Sequence, residues 1–152
     1  MAQNKSELLS FLWHGSNLID HLIHETAVKW QLSASEIQLL LYLDQMPHLN
    51  TARDVALYCG MSKASVSGNV LKLATRGLLT VDVDLRDRRF QHLALTEQAS
   101  PVLLDIRSIL RSFDSQMIGM LDTEEREQFL TLLAKMTAAG NGLPITNDTG
   151  KD

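Results

Sequence analysis

The sequence predicts a mainly α-helical chain with one small β-hairpin, and three observations carry that prediction. From Leu78 to Thr96, two runs of alternating apolar residues flank a turn crowded with Asp and Arg, the pattern of a hairpin with a cationic tip. Directly before it lies a helical stretch that opens Ser62-Lys63-Ala64-Ser65 and closes at Gly77. Ahead of that stretch, a short turn containing Gly60 joins it to another short helix, the spacing of a helix-turn-helix. Helix, turn, helix and basic hairpin in that order make a winged helix-turn-helix.

The remaining elements follow from periodicity and capping residues. Leu8, Phe11/Leu12, Leu18/Ile19 and Leu22/Ile23 keep helical spacing and predict a first helix from about Lys5 to Trp30, with Gly15 a soft spot. Ser33 and Glu36 form a capping-box pair that starts a second helix, running to Met46 where Pro47 limits it. Thr51 and Asp54 repeat the device for a third helix, Ala52 to Cys59, which Gly60 ends. Ser62 caps the fourth helix, whose inner face is Val66, Val70 and Leu73. A fifth helix reaches Leu121, beginning either at Ser100-Pro101 or at Thr96 with a bend at Pro101. Asp122 with Glu125 caps a sixth helix ending near Ala139, and Gly140 to Asp152 has the composition of a flexible tail. The expected organisation is a single domain over 1–139. Within it the winged helix-turn-helix covers about 33–96, with flanking helices at about 5–30 and 97–139.

Composition bounds the function. With 152 residues and 45% apolar content the chain can build a core. No apolar run approaches the roughly 18 residues of a membrane span, and the N-terminus lacks a secretory layout. Cys59 is the single cysteine, so a reducing cytoplasmic setting is expected. The net charge of −4 argues against nucleic acid at first. Its distribution reverses that argument. Thr51 to Thr96 holds Arg53, Lys63, Lys72, Arg76, Arg86, Arg88 and Arg89 against only Asp54, Asp82, Asp84 and Asp87. That segment is locally basic, and phosphate attraction follows the local field. There is no Gly-rich phosphate loop, Ser-x-x-Lys, HExxH or partnered nucleophile, so no enzyme and no cofactor is expected.

Asp84-x-Arg86-Asp87-x-Arg89, followed by Leu95-Thr96, resembles the wing signature D-x-R-D-x-R…LT of the MarR family of bacterial transcriptional regulators. Leu73…Arg76-Gly77-Leu78 is similar to the family segment leading into the wing, and the likeness covers roughly Leu8 to Ala139. The resemblance implies a homodimer through the first, fifth and sixth helices. It also implies two wings straddling double-stranded DNA at a pseudo-palindromic operator, and a repressor more often than an activator. The apolar content of the terminal helices independently favours burial against a twin.

With Val66, Val70 and Leu73 turned inward, the fourth helix presents Lys63, Ala64, Ser65, Ser67, Gly68, Asn69 and Lys72 outward. Ser62 and Ser65 suit phosphates or base edges, Asn69 suits adenine, Lys63 guanine or phosphate, and Ala64 a thymine methyl. Arg86 is the candidate for minor-groove insertion, with Asp84 expected to hold its guanidinium. Arg88 belongs to the same basic tip, and Arg89 either contacts DNA or pairs with Asp87. Two positions depart from the family pattern. Gly68 and Val81 stand where relatives often carry Arg, which predicts modest affinity and a flattened salt dependence.

Trp13, Trp30, Phe113 and Met117 are candidates for a pocket that takes a small aromatic effector, as the resemblance implies. Such a ligand would release DNA by favouring a conformation with misplaced fourth helices. His14, His21, His24 and Glu25 are set aside as a metal site because the fifth helix offers no His, Cys or Glu. Cys59 is read as a small packed residue and not a redox sensor. The alternative to a DNA-binding regulator is a dimeric winged-helix module for protein interaction or ligand sequestration.

Overall fold

A computed structural model describes residues 2–140, with side chains from Ser6 to Ala138. Six α-helices and one hairpin follow each other as α1 (Ala2–Trp30), α2 (Ala34–Gln45), α3 (Ala52–Cys59), α4 (Lys63–Thr75), β1 (Leu79–Val83), β2 (Gln91–Leu95), α5 (Ser100–Ile118) and α6 (Thr123–Gly140). The chain is thus mainly helical with a two-stranded antiparallel wing. It divides into two compact units, one ending at Phe113 and one beginning at Asp114. The expected tail lies outside the described residues, apart from Gly140 at the end of α6.

Capping chemistry sets the helix starts. Ser33 Oγ accepts the Glu36 N–H at 3.1 Å and the Glu36 carboxylate accepts the Ser33 N–H at 2.6 Å. Glu36 is buried, and this reciprocal bond satisfies it. Thr51 and Asp54 form the same box on α3, with bonds of 3.2 and 3.0 Å. Ser62 Oγ accepts the Ser65 N–H at 3.1 Å and opens α4. Gly60 closes α3 at φ 62°, a left-handed position that glycine takes without steric cost. Asp122 and Glu125 cap α6 reciprocally. Helix α1 runs unbroken through Gly15. Of the two starts foreseen for α5, the one at Ser100-Pro101 is observed: the α-helix begins at Ser100, after a 3₁₀ turn, Glu97–Ala99, that follows Thr96. That helix ends at Ile118, short of Leu121.

The core of the first unit gathers Ile37, Leu39, Leu40 and Leu43 of α2, Val55 of α3, and Val66, Val70 and Leu73 of α4. Leu79 and Leu93 seal it from the hairpin, and Val102, Leu103, Ile106 and Ile109 from α5. Strand register pairs Leu79 with Leu95 and Val81 with Leu93. Val81, one of the two departures from the family pattern, is half-buried against this core. Two polar ties fix the layers. Arg107 reaches from α5 to grip Asp44 of α2 at 2.8 and 3.2 Å. Tyr42 Oη donates to the Leu49 carbonyl at 2.7 Å, with its pKa pushed up to about 12 mainly by burial and then by Asp54. No helix is long and apolar enough to cross a membrane among the described residues.

Candidate nucleic-acid interface

The core decides which face of α4 remains outside. Val66, Asn69, Val70 and Leu73 are buried, whereas Ser62, Lys63, Ala64, Ser67 and Lys72 are exposed and Ser65 is half-buried. Asn69 therefore corrects the sequence expectation. Its Oδ1 accepts the Ser35 hydroxyl at 3.3 Å and its amide lies 3.9 Å from the Met61 sulfur. An amide held this way ties α4 to the start of α2 and is turned away from any groove that α4 enters. The reason is positional: Asn69 is three residues after Val66 and four before Leu73, on the helix face that packs.

The wing is folded by carboxylates. Asp84 Oδ1 accepts the backbone N–H of Arg86 at 2.7 Å and of Asp87 at 3.3 Å, an Asx-type turn. Its Oδ2 lies 3.4 Å from His92 Nε2. These contacts, the Arg86 N–H first, hold the Asp84 carboxyl below its ordinary range. This is a second correction, because Asp84 braces the backbone of Arg86 and not its guanidinium. Asp87 accepts from Arg89 Nε and Nη2 at 3.0 and 2.9 Å and from the Arg89 N–H at 3.0 Å. The pair lowers the Asp87 pKa and raises that of Arg89. Arg89 pairs with Asp87 as one of its two expected roles required. Arg86, Arg88 and Lys63 have no ion-pair partner among the described residues.

Between α3, α4 and the wing lies a cleft of about 540 Å³. Arg53, Lys63, Arg88 and Arg89 supply its charge, and Thr51 and Ser67 add hydroxyls. The wing is pinned beside it: the Leu93 N–H donates to the Asn50 carbonyl at 2.8 Å, and His92 Nδ1 lies 2.9 Å from Asn50 Oδ1. Arg53 lines this cleft and is the candidate residue that the sequence reading missed. It sits in the first turn of α3, and only the tertiary fold brings that turn to the mouth of the α4–wing cleft. Arg76, by contrast, is not in the lining of that cleft and is turned toward the end of α1. Its Nη1 and Nη2 donate to the Gln31 and Trp30 carbonyls at 2.8 and 3.0 Å, capping the C-terminus of α1.

A MarR family model matches residues 30–89, from the end of α1 to Arg89 at the wing tip. This stretch is similar to the MarR family. The match takes in α2 to α4 and the Asp84–Arg89 turn, the parts that build the cleft. A MarR-family regulator from Silicibacter pomeroyi superposes with a TM-score of 0.70 at 18% identity, over 88% of each chain. S. aureus MepR, solved as a DNA complex, gives 0.63 at 21% identity over 88% of this chain and 94% of that one. Bordetella bronchiseptica BpsR, described by its regulation of DNA binding by 6-hydroxynicotinic acid, gives 0.62 at 23% identity over 86% and 98%. At these identities the likeness is one of fold.

Two of the four candidate effector residues, Trp13 and Trp30, lie far apart within the chain. Trp13 is exposed and stands about 25 Å along α1 from Trp30 at the helical rise. Trp30 Nε1 donates to Asp105 at 2.7 Å. Met117 belongs to the second unit. A small polar cleft of about 230 Å³ between α1 and α5 is lined instead by Glu25, Thr26, Lys29, Asp105 and Ser108, among others. There Lys29 pairs with Asp105 at 2.7 Å and, with Trp30, lowers its pKa. His21 and Glu25 make an i, i+4 pair at 3.6 Å on the exposed side of α1. Cys59 is half-buried beside the core, and burial raises its pKa, which keeps the thiol protonated and poorly nucleophilic.

Proposed function

We propose that this protein is a duplex DNA-binding transcriptional regulator of MarR type, acting as a homodimer in the cytoplasm and not as an enzyme. The observation that carries the reading is the cleft in which Arg53 of α3, Lys63 of α4, and Arg88 and Arg89 of the wing converge. Helix α4 then lies in the major groove, with Ser62, Lys63, Ala64, Ser65, Ser67 and Lys72 toward phosphates and base edges. The wing carries Arg86 into the neighbouring minor groove. That MepR has been solved on DNA and BpsR is described as ligand-regulated supports the reading by analogy of fold. It extends to a pseudo-palindromic operator, repression, and release by a small effector.

Dimerisation is supported by apolar side chains left exposed on both terminal helices: Leu8, Leu9, Leu12 and Trp13 on α1, and Leu130, Leu132, Leu133 and Met136 on α6. Patches of this kind mark association surfaces, and a two-fold pair presents two copies of α4 to successive turns of the duplex.

The test is a titration of labelled random-sequence duplex at low and moderate salt, repeated with Arg86→Ala. Binding that weakens as salt rises, with a log–log slope about one unit shallower in the variant, is the expected result. Indifference to both salt and substitution overturns the reading and leaves the interaction or sequestration module.

A further inference from the structure

Leu85 is 98% exposed at the tip of the wing. It is not on a loose loop, because Asp84 holds the N–H groups on its far side, those of Arg86 and Asp87. Its neighbours Arg86 and Arg88 are exposed cations with no ion-pair partner among the described residues. An apolar side chain is thus fixed beside the cations that approach the duplex. Phosphate oxygens offer leucine nothing. Deoxyribose walls and the faces of unstacked bases do, and leucine is among the wedges that minor-groove proteins insert between base steps.

We propose that Leu85 is such a wedge, and this rests on the DNA-binding reading above. Entering the minor groove beside Arg86, it packs on the sugar walls and opens the base step beneath it. The deformability of that step then becomes part of the operator's identity. The two neighbours favour opposite sequences: a guanidinium prefers the narrow, strongly negative groove of an A-tract, whereas a wedge prefers a flexible TA step. Leu85 shifts the balance toward TA.

The experiment uses the full chain and a duplex selected by it from a random pool. Hydroxyl-radical footprinting locates the wing, and 2-aminopurine is placed at the step beneath it. The expected result is a fluorescence rise on binding that Leu85→Ala abolishes. Affinity falls roughly fivefold, as for the loss of a modest apolar contact. The salt slope stays unchanged, and preference moves from TA toward AA at that step. Arg86→Ala serves as the contrast, because it flattens the slope by about one unit. If Leu85→Ala binds as tightly as the wild type with the same fluorescence and step preference, the wedge is overturned while the DNA-binding reading stands. If the wild type binds no duplex in a salt-dependent way, both are overturned.

Discussion

Helix α4 is anchored by what it buries, and the wing by what it charges. Val66, Val70 and Leu73 sink into the core, and Asn69 ties the same face to Ser35. Beyond Leu79, Val81 and Leu93 on its strands, the wing has no such anchor. Its tip is folded by the half-exposed carboxylates of Asp84 and Asp87 accepting backbone and guanidinium N–H groups. Both present cations to the same cleft. Burial, however, is cooperative with the whole domain, whereas half-exposed carboxylate turns open locally and respond to pH. The helix should therefore fail only when the domain fails, and the wing tip should fail alone.

The largest expected effect comes from breaking the buried side of this contrast. Leu73 is fully buried among α2, α4 and the hairpin. Leu73→Ala should cost about 2–5 kcal/mol through lost transfer energy and a residual cavity. Thermal denaturation followed by circular dichroism reads this as one cooperative shift. A separate early transition confined to α4 would show that the helix is not welded to the core.

Much of this architecture was legible because helix boundaries are written in local chemistry. The Ser33/Glu36, Thr51/Asp54 and Asp122/Glu125 pairs and the Gly60 stop all do in the structure what their spacing predicts. The hairpin was legible because alternation fixes which residues face the core, and Leu79 and Leu93 do. What stayed illegible depended on contacts distant in sequence. Arg76 reaches across to the end of α1, and Arg53 meets the wing only after folding. Asn69 was a different error. Its spacing from Val66 and Leu73 pointed inward, but its polarity suggested a base contact; the Ser35 hydroxyl is the partner that makes the inward position tolerable.

A smaller and opposite effect is expected on the outer face of α4. Gly68 sits mid-helix, and a Cβ added there would meet nothing within 4 Å. Gly68→Ala should therefore stabilise the fold by about 0.5–1 kcal/mol through helix propensity and reduced unfolded-state entropy. Urea denaturation should show a higher midpoint at unchanged m-value. A lower midpoint would mean that α4 needs the glycine for a reason internal to the protein.

The smallest effect on global stability, and the sharpest on the contrast itself, belongs to Asp84. Folding lowers its pKa through the Arg86 and Asp87 N–H groups and His92. A carboxyl lowered in this way contributes stability that is present above its unfolded value and lost as pH falls through the folded one. At neutral pH the bracing is complete, and it is released only below the ordinary carboxylate range. The amide resonances of Arg86 and Asp87 should then move together on acidification, while those of Val66 and Leu73 stay still until the domain unfolds. Asp84→Ala should produce the acid-like wing spectrum already at pH 7 with little change in melting temperature. If the wing amides and the α4 amides instead titrate as one, the tip is not an independent element. Its cations would then owe their placement to the core after all.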